Sequence, residues 1–310
     1  MEMALYIAVG FVLLWKGGDL LVDGADAFAR SHGVPPTIAG VFILGFGTSM
    51  PELAVTVLAA LDGEAGIAVG NVVGSNIANV ALVLGAACLL AVVHVNRFIL
   101  KVEMPVGILA SVLAFLLVLD GDVDMTDGII LLGAFLAYGG FALWTVRHRD
   151  VDDGDPPPKR PWFDLGKALL ALAAVLGGAE LFKTGAVQVA ESFGISRLVI
   201  GSTLVAFATS LPELATAIAA ARAKKADLII GNVIGSNIFN LLLVLGAAGL
   251  VIDQQVDPSV PTIYMPLMLG LAIFPLAIAW ANKREIGPRS GGFLVAVYLG
   301  FLIYSAMNAG

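Results

Sequence analysis

Gly45-Phe46-Gly47-Thr48-Ser49-Met50-Pro51-Glu52-Leu53-Ala54 is answered 161 residues later by Ala206-Phe207-Ala208-Thr209-Ser210-Leu211-Pro212-Glu213-Leu214-Ala215. The same offset holds without a gap downstream. Gly70-Asn71-Val72-Val73-Gly74-Ser75-Asn76-Ile77 answers Gly231-Asn232-Val233-Ile234-Gly235-Ser236-Asn237-Ile238, and Asn79 answers Asn240. Farther out it pairs Asp19 with Glu180, Gly24 with Gly185, Gly33 with Gly194 and Gly40 with Gly201. The chain therefore reads as two copies of one unit.

Hydrophobic residues make up 59% of the 310 residues and charged residues 13%, about half the usual charged share of a soluble domain. The mean hydropathy is +0.94. Lipid, not water, is the solvent this composition suits. A membrane-spanning helix needs about 20 mostly apolar residues, and ten such segments are legible: 3–29, 36–61, 67–93, 103–120, 126–146, 164–191, 197–221, 227–251, 261–281 and 291–308. The start, Met1-Glu2-Met3, has no basic residue before the apolar run, so the first segment reads as a retained helix and not a cleaved signal peptide.

Residues 147–163 form the one clear linker, rich in Asp and carrying Pro156-Pro157-Pro158. It divides the chain into five-helix repeats at 1–146 and 164–310. Five is odd, so the second copy enters the membrane from the opposite side. The expected fold is an all-α polytopic membrane protein of ten transmembrane helices in two inverted-topology repeats, with its site where interrupted helices meet near the midplane.

Lys and Arg set the expected orientation. One side collects Arg30, Arg97, Lys101, Arg147, Arg149, Lys159, Arg160, Arg222, Lys224, Lys225, Lys283, Arg284 and Arg289, the other Arg197 alone. This predicts a plasma (inner) membrane protein with both termini outside and linker 147–163 cytoplasmic. The outer loops are acidic, with Asp62, Glu64, Asp120, Asp122, Asp124, Asp127, Asp253 and Asp257. The formal net charge is −7, with no basic nucleic-acid surface. Cys88 lies in an apolar run and reads as a buried hydrophobe. His32, His94 and His148 are far apart in sequence and suggest no shared metal site. No phosphate loop, nucleophile–base pair or metal-hydrolase motif is present, which argues against an enzyme.

Glu52 and Glu213 fall inside apolar segments, where a carboxylate costs several kcal/mol unless paired, hydrated or bound to a cation. Pro51 cannot donate to the carbonyl of Gly47, nor Pro212 to that of Ala208, so each helix should kink there. Thr48 and Glu52 are four apart, as are Thr209 and Glu213, and would share a face in a regular helix. Ser49 and Ser210 would serve flanking sites. Asn71, Ser75 and Asn79 form a second polar stripe, repeated as Asn232, Ser236 and Asn240. Gly70, Gly74, Gly231 and Gly235 would let a neighbouring helix approach closely. Oxygen ligands without sulfur or imidazole suit hard cations such as Ca²⁺ and Na⁺. Two carboxylates neutralise one Ca²⁺, and could instead hold Na⁺ or protons; exchange follows from competition for one ligand set. Asp19 and Glu180 read as vestibule residues or partners of Lys16 and Lys183.

At these residues the sequence resembles the cation/calcium exchanger superfamily, in particular microbial sodium/calcium exchangers. Their two alpha repeats look like Gly-Thr-Ser-x-Pro-Glu followed by Gly-Asn-x-x-Gly-Ser-Asn, with Ala208 here replacing one glycine. The resemblance implies a Ca²⁺/Na⁺ antiporter working by alternating access, electrogenic if three Na⁺ move per Ca²⁺. Ca²⁺/H⁺ exchange and a passive cation channel are the alternatives. It implies Glu52 and Glu213 as central ligands, with Thr48, Thr209, Ser49, Ser210, Ser75 and Ser236 adding oxygens. Asn79 and Asn240 would line the middle site, and the carbonyls of Gly45 and Ala206 the flanking ones. It also implies that the first and sixth helices slide, which Gly17-Gly18 and Gly177-Gly178 would permit. Two asparagines, where some members carry an aspartate, argue against obligatory K⁺ cotransport. The expected partners are the lipid bilayer and the transported ions, with no cofactor, nucleic acid or obligatory protein partner.

Overall fold

The structure is a computed structural model describing residues 2–148, 161–193, 206–251 and 254–307. Most of the linker, together with Gly194, Arg197, Gly201 and Asp253, lies outside the described residues. Lipid offers backbone N–H and C=O groups no partners, so the apolar runs must satisfy themselves as helices. In chain order these are α1 (Glu2–Ser31), α2 (Pro36–Thr48) and α3 (Met50–Leu61), α4 (Ala65–Leu90) and α5 (Ile99–Asp120). Then come α6 (Met125–His148), α7 (Pro161–Ser192), α8 (Ala206–Thr209) and α9 (Leu211–Arg222). The chain continues with α10 (Ala226–Gly249), α11 (Val260–Ala281) and α12 (Pro288–Met307). Among the described residues, seven helices are individually long and apolar enough to cross a membrane, and α2 with α3, bent by 45°, would be an eighth if the pair forms one broken span. The expected segment 197–221 begins outside the described residues, and α12 has 20 residues.

Burial separates core from shell. The apolar windows of α4 and α10 are 78% and 89% buried, whereas those of α1, α5, α6, α7 and α11 range from 22% to 39%. The core is thus α4, α10 and the broken helices between them. The shell turns residues such as Leu136, Leu170 and Trp280 toward lipid. Short ribbons tie loops of the two halves together: β1 (Val93–His94) pairs with β4 (Glu285–Ile286), and β2 (Asp122–Val123) with β3 (Gln254–Gln255).

Glycine sets how closely the core closes. A Cβ on Gly231 would lie 2.5 Å from the Thr37 carbonyl oxygen, and one on Gly235 2.6 Å from the Val41 Cα. α10 therefore packs backbone to backbone on α2. Across the shell, α1 runs along α7, with Gly10 and Gly178 at their contact. The expectation for the paired glycines holds only in part. Gly17 faces Val175 of α7, but Gly18 faces Ala215 of α9, and nothing lies within 4 Å of a Cβ on Gly177.

π-helical turns recur at nearly the repeat offset: Asn79–Leu84 and Phe239–Val244, then Ile99–Glu103 and Val260–Tyr264. In the second pair the cause is visible. Pro105 and Pro266 follow these turns and have no N–H for the carbonyls four residues back, so the helix widens locally.

Three further placements refine the sequence reading. Helix α5 starts at Ile99, four residues before the expected segment, so Glu103 becomes interior. Asp19 pairs with Arg222 of α9, not with Lys16, and Asp23 meets Lys225 at 3.0 Å. Glu180 pairs with Lys183, and Cys88 is buried and free.

The α2–α10 seam predicts that Gly235→Val lowers stability by about 1–3 kcal/mol through overpacking. Gly133→Ala, where a Cβ meets nothing within 4 Å, should leave it unchanged or slightly higher. Thermal unfolding in detergent compares the two, and equal shifts would remove the packing argument.

Candidate cation site

The break between α2 and α3 falls at Ser49, whose φ and ψ are −82° and 4°; Ser210 between α8 and α9 has −86° and 2°. Pro51 and Pro212 follow in the first turns of α3 and α9, where a missing N–H is harmless. Ser49 with Glu52, and Ser210 with Glu213, have the Ser-x-x-Glu spacing of a capping box. Neither serine makes the capping bond. Their hydroxyls remain available to the protein interior, and the positive ends of α3 and α9 lie beside the glutamates they favour.

Glu52 and Glu213 are each 1% exposed and close enough to repel one another. Thr48 and Ser49 lie close to the Glu213 carboxylate, so hydroxyls of one half stand beside the acid of the other. The spacing argument, which keeps each threonine with the glutamate of its own half, does not foresee this crossing. The Thr48 hydroxyl donates to the Leu44 carbonyl at 2.9 Å and lies 3.5 Å from Asn232 Oδ1. Having given its proton away, it keeps lone pairs for a cation.

Ser236 Oγ donates to the Gly45 carbonyl at 3.2 Å. That carbonyl also accepts the Ser49 N–H at 3.1 Å. Two oxygens at such a separation can also share a cation at the 2.3–2.6 Å typical of Ca²⁺, provided the serine proton turns away. Ser75, Asn79 and Asn240 are buried and Thr209 is half-buried. Ala206 opens α8. Asn79 Nδ2 donates to Asn237 Oδ1 at 3.0 Å across the two halves.

Buried oxygens without a hydrogen-bond partner concentrate at this site: Ser49 Oγ, Ser210 Oγ, Glu52 Oε2, both carboxylate oxygens of Glu213, and Asn240 Oδ1. Buried polar atoms are normally paired, so each exception needs a reason. A hard cation as substrate fits the set: anionic and neutral oxygens, with no sulfur or imidazole. Among the described residues, no three His, Cys, Asp or Glu side chains group to hold a metal, so two carboxylates carry the whole anionic charge here.

Asn71 and Asn232 act as struts. Asn71 Nδ2 donates to Thr56 Oγ1 at 2.9 Å and to the Glu52 carbonyl at 3.3 Å. Asn232 Nδ2 lies 3.1 Å from Thr216 Oγ1 and 3.5 Å from the Glu213 carbonyl. They fix the backbone of the glutamates. Sequence reasoning placed both asparagines on the polar stripe but missed the threonines, which stand one position apart in register between the halves. It also missed Glu103, which is 1% exposed, because the apolar run had been started at that residue.

Buried oxygens between broken helices in a multi-pass membrane fold define a secondary ion transporter. The family model described as sodium/calcium exchanger protein matches residues 3–144 and 165–307, and the chain belongs to that family. The sodium/calcium exchanger MaX1 of Methanosarcina acetivorans is 31% identical over 340 residues, covering 96% of this chain and 97% of the relative. The inner membrane protein YrbG of Escherichia coli is 33% identical, covering 97% and 95%. A solved structure of the sodium-calcium exchanger NCX_Mj, soaked with zero Na⁺ and Ca²⁺, aligns with a TM-score of 0.86 at 32% identity, covering 96% of this chain and 97% of that one.

Removing either acid relieves repulsion in a dry site, so Glu52→Gln and Glu213→Gln should each raise the melting temperature of the ion-free protein. Each should also abolish the further rise that Ca²⁺ gives the unaltered protein. Melting curves with and without Ca²⁺ test both; a normal Ca²⁺ response in either variant would remove that glutamate from the site. Asn240→Asp adds a third negative charge, and should shift the relative binding of Ca²⁺ and Na⁺ more than it shifts ion-free stability.

Proposed function

We propose that the protein is a secondary antiporter that exchanges Ca²⁺ for Na⁺ across the membrane by alternating access. The observation that carries this reading is the set of buried, unpartnered oxygens around Glu52 and Glu213, in a chain whose relatives include sodium/calcium exchangers.

The mechanism follows from charge. Two carboxylates in a low-dielectric site repel, and one Ca²⁺ neutralises both while gathering six to eight oxygens. Ser49, Ser210, Thr48, Thr209, Ser75, Ser236, Asn79 and Asn240 supply neutral oxygens, as do the carbonyls of Gly45 and Ala206. Sodium ions compete for the same atoms but bring less charge each, so more than one must enter to replace a Ca²⁺. Competition for one ligand set couples the two fluxes, since a site emptied of both ions leaves the carboxylates uncompensated.

The distribution of Lys and Arg supports an orientation with both termini outside and the linker 147–163 cytoplasmic. On this reading the repeats at 1–146 and 164–310 are inverted copies that present the site to the two sides in turn. The acidic loop Asp120–Asp127 then faces outward. There Asp122 is raised above its ordinary value by desolvation and by the charges of Asp120 and Asp124. Such a loop concentrates cations near the mouth.

Proteoliposomes holding the purified protein test the reading by ⁴⁵Ca²⁺ uptake. An outward Na⁺ gradient should drive uptake and an outward H⁺ gradient should not. Uptake that follows only protons would replace Na⁺ as the counter-ion. Uptake dissipating with its own gradient, uncoupled to either, would mean a channel.

A further inference from the structure

Glu103 is a third carboxylate inside the membrane-spanning body. It ends the π-helical turn Ile99–Glu103 of α5 and is 1% exposed. The Tyr138 hydroxyl on α6 donates to Glu103 Oε2 at 2.8 Å. The Tyr138 ring in turn stacks on Phe42 of α2, with centroids 5.9 Å apart and planes 13° from parallel. Phe42 meets Phe239 of α10 edge-on at 5.6 Å, and Phe239 also touches Phe46 at 5.1 Å. The chain of contacts thus ends among the candidate ligands. Gly45 and Thr48 follow Phe42 on the same short helix, and Asn240 follows Phe239 directly.

The geometry explains what such a chain is for. One flank of α2 rests on the glycines of α10, where smooth backbone surfaces leave little to stop sliding. The other flank meets the aromatic rings. Stacked rings resist separation but have weak preference for one lateral position. A hydrogen bond to a carboxylate is stronger and directional, and it fixes the phenol and so the plane on which Phe42 lies. A membrane-buried acid is costly to keep, so its presence calls for a return.

The other repeat sharpens the argument. The residue 161 positions on is Tyr264, which likewise ends a π-helical turn, Val260–Tyr264. Tyr264 contacts Phe301 and Tyr304. With Asn71, Ser75 and Thr209 it lines a cavity of about 190 Å³. The same place in the fold carries a phenol beside a cavity in one half and a clamped acid in the other.

We propose that Glu103 is a positioning residue for the cation site, acting through Tyr138 and Phe42 to hold the segment Gly45–Thr48 in register with α10. This rests on the reading of the Glu52–Glu213 centre as the cation site. Glu103 acts on the site through the Tyr138 phenol that bonds its Oε2, so its loss should weaken ion binding while the ligand set of Glu52 and Glu213 stays in place.

The test uses the full chain in proteoliposomes, with Glu103→Leu, Glu103→Gln and Tyr138→Phe, and Glu52→Gln as a control. Half-saturating Ca²⁺ and maximal exchange rate are measured separately. Glu103→Leu and Tyr138→Phe should each raise half-saturating Ca²⁺ about three- to tenfold, part of what one lost hydrogen bond to a charged group is worth, because the bond acts on the site only through Phe42. The double variant should be no worse than either alone, because both delete one bond. Glu103→Gln keeps an acceptor for the phenol and should return to within about twofold of the unaltered protein. Should Glu103→Leu fail to fold, Tyr138→Phe, which loses a single oxygen, carries the comparison. An unchanged half-saturation in Tyr138→Phe, or a Gln variant as impaired as the Leu variant, would overturn the proposal. A fall in maximal rate alone, with affinity intact, would also overturn it. If Glu52→Gln exchanges normally, the underlying site reading has failed; if it is inactive while Tyr138→Phe is normal, only the positioning role has.

Discussion

Repulsion between Glu52 and Glu213 in the dry centre of the core is the constraint that the surrounding structure answers. Each acid is essentially without solvent exposure, and a lone carboxylate at that depth costs several kcal/mol. Ordinary folding would bury leucine there. The chain instead places hydroxyls, amides and helix N-termini around the pair and leaves several of those oxygens without protein partners. On the proposed reading, stability of the ion-free protein is given up so that a cation finds a prepared site. The two serines show the choice at the level of single atoms: both occupy helix-capping positions, and neither caps.

Bringing two such acids together requires the helices to break and to pack closely. The proline after each break lets a new helix begin at the site, so glutamate sits in a first turn, where helix polarity favours it. The glycines of α10 then admit α2 at backbone contact. A methyl group at Gly231 or Gly235 would push α2 outward and carry Gly45 and Thr48 with it. The crossing of polar side chains between halves depends on this closeness. Thr48 lies near Glu213, Ser236 bonds to Gly45, and Asn79 bonds to Asn237. The site belongs to neither repeat alone.

Most of this was legible in the sequence because duplication removes coincidence. One Pro-Glu in an apolar run is ambiguous, whereas the same dipeptide with the same polar stripe at a fixed offset is not. Helix existence followed from hydropathy, and the breaks followed from proline chemistry. Other features were not legible for definite reasons. Residue spacing describes one helix at a time, so it put Thr48 with Glu52 and could not show Thr48 reaching Glu213. Glu103 was lost because a hydropathy boundary was drawn at the charge, while the helix continues four residues beyond it. Asp19 pairs with Arg222, far along the chain, a partner that neither a vestibule role nor a nearby lysine foresees. The π-helical turns have no hydropathy signature, although Pro105 and Pro266 mark where two of them end.

The copies share their motifs at the centre but not all of their packing, since a Cβ on Gly70 or Gly74, unlike Gly231 and Gly235, would meet nothing within 4 Å; toward the edges the residues themselves diverge, and that divergence has an energetic meaning. Asp19 and Asp23 on α1 hold Arg222 and Lys225 beside the end of α9, and the Arg222 guanidinium also covers the Trp15 ring at 3.9 Å. At the repeat offset, Leu61 and Glu64 stand where these two cations would be, so the tie has no equivalent in the other half. Glu103 and Tyr264 differ in the same way. Perfect inverted copies would give the two orientations of the core equal energy. Exposed ion pairs contribute only about 0–1 kcal/mol each, yet 1.4 kcal/mol already shifts a two-state balance tenfold. On the proposed reading, duplication supplies the architecture and the ligands, while unduplicated residues at the rim would set how evenly the two faces are visited.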